Sequence, residues 1–108
     1  MELQNIIQMM IHASRRIEKA TNEIHKMARE KAETEYEYRQ ALSIEIMKLK
    51  AKGVQATLIP DVARGNVAEL KLARDLADGK YKSAVESLRA LQSELNGLQT
   101  ISRYQSEV

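Results

Sequence analysis

Two long stripes of apolar residues at helical spacing run through this chain, and its only proline lies in the short stretch between them. In the first stripe Leu3, Ile6, Met10, Ala13, Ile17, Ala20, Ile24 and Met27 recur in alternating steps of three and four, the seam of a left-handed coiled coil. In the second, Val67, Leu70, Ala77, Tyr81, Ala84, Leu88, Leu91, Leu95 and Leu98 keep the same heptad, with Arg74 as the charged seam position. Residues 52 to 66 separate the stripes and hold Pro60 together with Gly53 and Gly65, a composition that reverses a chain. The expected fold is therefore all-α: a single domain over 1-108 forming a long antiparallel helical hairpin. Helix 1 is expected over about 3-52, the tip over 53-66 and helix 2 over about 67-105.

The first stripe falters in the middle. Lys31 and Thr34 occupy seam positions, after which Tyr38, Leu42, Ile46 and Leu49 continue at a longer spacing that relaxes a supercoil. Folding the chain about the centre of the break sets Tyr38 beside Tyr81, Lys31 beside Leu88 and Ile24 beside Leu95. In that register the second helix ends near Ala13, so residues 3 to 11 overhang and expose Leu3, Ile6, Ile7, Met10 and Ile11. Two helices bury only a narrow stripe of each, and such an overhang needs cover. Self-association into a multi-helix bundle is expected, with those five residues as the oligomer interface.

Finer features of the break follow from local chemistry. Ile59 before Pro60 is expected to be extended, with one helical turn over residues 60 to 64 and Gly65 ending it. Asn66 then suits the N-cap of the second helix, with Glu69 completing a capping box. Leu58, Ile59 and Val62 are expected to fold back on Ile44, Met47, Leu72 and Leu76, which lie off the main seam. Gly79 and Gly97 interrupt the second helix and point to local thinning or close helix approach.

Charge offers little direction. The chain of 108 residues has a formal net charge of +2, which steers it toward no polyanion as a whole. Locally, Lys48, Lys50, Lys52 and Arg64 face only Asp61 within residues 46 to 66. That basic tip allows nucleic-acid phosphate contact, although lysines at a helix C-terminus also favour the helix dipole with no partner at all. Lys48, Lys50, Lys52, Leu58, Ile59, Asp61 and Arg64 are the candidate tip contact.

Catalytic and metal chemistry find no pattern to rest on. Cysteine is absent, which excludes a disulfide framework and thiolate chemistry and fits a reducing compartment such as the cytoplasm. Glu30, Glu33, Glu35 and Glu37 form an acidic stretch, but neither His12 nor His25 follows a glutamate by three residues, as a carboxylate-bridged metal bundle requires. The stretch reads as a solvated face pairing with Arg29, Lys31 and Arg39. No phosphate loop or nucleophile elbow occurs, so neither enzyme activity nor a cofactor is expected. No apolar run reaches the roughly 20 residues that span a bilayer, and the first residues lack the basic start of a secretory signal, so no membrane association is expected.

Three runs, Glu45 to Gly53, Ala56 to Gly65 and Val67 to Leu70, together with Leu98 to Gln105, resemble small proteins of phages and prophages of Gram-positive bacteria. The likeness covers about residues 40 to 105. It implies an accessory or host-directed protein from an early recombination and replication gene region, acting by protein-protein interaction on a phage or host partner in the host cytoplasm. A single-stranded nucleic-acid-binding accessory factor is the alternative. The resemblance assigns no functional residues.

Overall fold

The computed structural model describes residues 2 to 107. It is all-α, with helix α1 over Leu3–Ala51, α2 over Ile59–Asn66 and α3 over Ala68–Glu107. The chain divides into two compact units, one of Met1–Lys26 with Lys82–Val108 and one of Met27–Tyr81, and α1 and α3 contribute to both. In each unit a segment of α1 packs antiparallel on a segment of α3, the helical-hairpin arrangement.

In the first unit Ile6, Ala13 and Leu98 form the buried cluster, with Met10 and Leu95 packed against it. Arg16 donates to Glu94 across the pair at 3.4 Å. Ile6 is fully buried, which overturns the expectation that residues 3 to 11 overhang. Its side chain lies in the core of its own chain.

In the second unit the core is Leu49, Ile59 and Ala63, flanked by Leu42, Ile46 and Val54. The end of α1 explains how Val54 comes to be there. Gly53 adopts φ 77, the amide of Gly53 bonds to the carbonyl of Lys50, and that of Val54 bonds to the carbonyl of Leu49. This is the Schellman arrangement, and the contact between Val54 and Leu49 is its usual apolar companion. A single bond from the Leu58 amide to the Gln55 carbonyl closes the short turn that follows.

The reversal is thus confined to residues 52 to 58, and α2 already belongs to the returning arm. Expectations about the tip change accordingly. The helical segment covers Ile59–Asn66, with Pro60 in its first turn, where its missing N–H costs nothing. Gly65 does not end it. The helix runs through Gly65 and Asn66 to Val67, whose amide bonds to Ala63 and whose carbonyl accepts from Leu70 and Lys71. Asn66 is therefore no N-cap; its side-chain amide donates to Glu45 on α1 at 2.8 Å.

Moving the reversal toward the N-terminal side shifts the pairing of the arms by about one heptad. Tyr38 meets Arg74 and Lys31 meets Tyr81, instead of Tyr38 meeting Tyr81. The expected satellite core fails for the same reason: Ile44, Met47, Leu58, Val62, Leu72 and Leu76 are all exposed, and only Ile59 of that set is buried. Gly79 and Gly97 face open space on the Cβ side, so neither permits a close approach of another element.

Candidate interaction surfaces

The five residues expected to form an oligomer interface divide between the inside and outside of the first unit. Ile6 is core and Met10 is half-buried against it, whereas Leu3, Ile7 and Ile11 are exposed. The division follows from the helix period, since Ile6, Met10 and Ala13 continue the seam while Ile7 and Ile11 lie beside it. Next to them, Ile7, Met10, Ile11, Leu95, Gln99 and Ser102 line a shallow groove of about 380 Å³. Met9 and Ile101 are exposed apolar residues of the same unit. Reading α1 as a two-sided element near its start, rather than as a single seam, would have found this strip in the sequence.

The tip candidates scatter. Ile59 is buried in the core of the second unit and is removed from the contact set, because its side chain is already covered by Leu49 and Ala63. Leu58 is exposed, and Arg64 pairs with Asp61 at 3.4 Å with both groups largely in solvent. Lys48 and Lys50 lie in the last turn of α1, where they complement its dipole, and Lys52 follows at the reversal.

A polar layer unremarked in the sequence crosses the second unit. The guanidinium of Arg74 sits over the Tyr38 ring at 4.4 Å, and the ammonium of Lys31 over the Tyr81 ring at 5.8 Å. Lys31 also pairs with Asp78 at 3.8 Å, Arg74 with Glu35 at 3.5 Å, and Lys80 with Glu30 at 3.5 Å. The two charged seam residues are thereby accommodated on aromatic faces and paired with acids of the facing helix. Thr34, the other irregular seam residue, satisfies its hydroxyl on the carbonyls of Glu30 and Lys31 within its own helix.

Asp75 anchors the outer side of this layer. It accepts from Arg74 Nε and Nη2 and from Lys71 Nζ at 3.0 to 3.2 Å. The Arg74 bonds, followed by that from Lys71, hold the Asp75 carboxyl below its usual pKa, and the same contact raises that of Arg74. The acidic stretch serves this network in part. Glu35 reaches both Arg39, at 2.6 Å along α1, and Arg74 on α3. Among the described residues, no group of three or more His, Asp or Glu side chains is placed to hold a metal ion.

No helix among the described residues is long and apolar enough to cross a membrane. Comparisons with family models, curated proteins and solved structures find no match to this chain. What remains as a site is surface: a basic α1 end, a salt-bridged polar layer, and apolar strips outside both cores.

Proposed function

We propose that this chain is a non-catalytic, self-associating helical protein that works by protein-protein contact. One observation carries the reading: among the described residues, more large apolar side chains lie exposed than buried, from Leu3, Ile7 and Ile11 in α1 to Ile101 and Tyr104 in α3. Apolar surface in such strips is the usual mark of a protein-binding face. The exposed N-terminal strip of Leu3, Ile7 and Ile11, with the groove beside it, is the association element. The resemblance of residues 40 to 105 to small phage and prophage proteins supports an accessory or host-directed role in the host cytoplasm.

Light scattering coupled to size exclusion tests the reading. The unmodified protein is expected at a multiple of 12.3 kDa. Leu3→Ser, Ile7→Ser and Ile11→Ser together are expected to lower that mass with helicity unchanged, since none of the three supports the core. A monomer at tens of micromolar would refute self-association. An unchanged oligomer in the triple variant would remove the N-terminal strip from the interface.

A further inference from the structure

The second unit carries an apolar stripe outside its core that reads the same in both directions. Leu58, Val62, Leu72 and Leu76 are 52%, 40%, 59% and 64% exposed. Gly65 and Glu69, both exposed, fill the interval, so positions 58, 62, 65, 69, 72 and 76 advance by four, three, four, three and four. This is a heptad stripe, and it continues across the junction of α2 and α3 at Val67.

We propose that this stripe binds the same stripe on a second copy of the chain, antiparallel about a two-fold axis at the level of Val67. In a two-fold interface, residue i meets j and j meets i, so a surface must complement itself. The spacing does so: Leu58 meets Leu76 of the second copy, Val62 meets Leu72, and Gly65 meets Glu69. The central layer suits that pairing. The Cβ side of Gly65 is open, which leaves room for the facing glutamate. The carboxylates flanking the stripe already carry basic partners, Asp61 with Arg64 and Asp75 with Lys71 and Arg74.

This proposal rests on the reading of the protein as self-associating but uses different residues from the N-terminal strip.

Because the chain has no cysteine, introduced pairs report the register directly. Val62→Cys with Leu72→Cys, and separately Leu58→Cys with Leu76→Cys, are oxidised at micromolar protein and resolved without reductant. Each matched pair is expected to give at least about tenfold more covalent dimer than the mismatched pair Leu58→Cys with Leu72→Cys, because a disulfide demands close Cβ atoms. All of these sites are exposed, so the variants keep their helicity, which circular dichroism verifies. Equal cross-linking of matched and mismatched pairs, or none in any, overturns the proposal, including the case in which the stripe serves a helix of another protein. If cross-linking fails while the unmodified protein remains oligomeric by light scattering, the stripe alone is refuted. Matched cross-links that persist with Leu3, Ile7 and Ile11 changed to serine support the stripe as an independent interface.

Discussion

The guanidinium carbon of Arg74 lies 4.4 Å from the centre of the Tyr38 ring, which places a cation from α3 on an aromatic face of α1 inside an apolar seam. Tyr38 is 6% exposed, so the arginine forms part of its cover. The lower pair of the same kind, Lys31 over Tyr81, is looser at 5.8 Å. Two charged residues that would oppose apolar or acidic side chains in a neighbouring register both find a ring in this one.

A double-mutant cycle of Arg74→Met and Tyr38→Leu measures that pairing. The expected coupling is about 0.5 to 1 kcal/mol, the range for a partly exposed cation over a ring, read from urea unfolding at fixed protein concentration. Coupling indistinguishable from zero would show that the seam tolerates Arg74 only through its bonds to Asp75 and Glu35.

Asp75 makes the polar layer pH-sensitive. Its folded-state pKa is depressed, first by Arg74 and then by Lys71, so its contribution to stability is present above the ordinary aspartate pKa. That contribution is lost as pH falls through the lowered folded value. Asp75→Asn is expected to flatten the acid limb of a stability-against-pH curve while leaving the neutral-to-alkaline shape unchanged. Carbon-detected NMR titration should place the Asp75 carboxyl below the ordinary aspartate range in the unmodified protein and return it upward in Arg74→Met.

Glycine positions separate two kinds of backbone demand. Gly53 holds φ 77 in the cap that ends α1, so Gly53→Ala is expected to destabilise by about 1 kcal/mol or more. Gly79 and Gly97 are helical with open space around the missing Cβ, so Gly79→Ala and Gly97→Ala should each stabilise by about 0.5 to 1 kcal/mol. Thermal unfolding of the three variants gives the signs directly.

The seams themselves were legible in the sequence, because burial follows a helical period: Ala13, Ala77 and Leu98 are buried where the heptads put them, and Tyr38 and Leu49 where the longer spacing does. Register was not, since a heptad seam slid by one repeat still meets a seam. The tie was broken by where the chain turns, and Gly65 was misleading there because a helix accommodates a glycine at modest cost when its own Ile59 and Ala63 are buried against Leu49. Asn66 fits an N-cap by composition, yet Glu45 on the facing helix offers its side chain a partner that local sequence does not contain. The candidate surfaces were partly visible for a related reason. The N-terminal apolar run was evident and the helix period divides it into two faces, but that the inner face meets Leu98 and Leu95 of α3 depended on the register.

That split gives the most direct test of the arrangement at the start of α1. Ile6 is fully buried with Ala13 and Leu98, whereas Ile11 is 42% exposed on the same helix. Truncating a buried isoleucine removes packing and leaves a cavity, so Ile6→Ala is expected to cost about 2 to 4 kcal/mol. Ile11→Ala should leave the unfolding free energy of the chain within about 0.5 kcal/mol, because a surface substitution away from core packing has little to lose. Any effect of Ile11→Ala should appear instead in oligomer mass. Urea denaturation and light scattering of both variants at one protein concentration separate the two roles. Equal destabilisation by Ile6→Ala and Ile11→Ala would contradict the burial of Ile6 against Leu98.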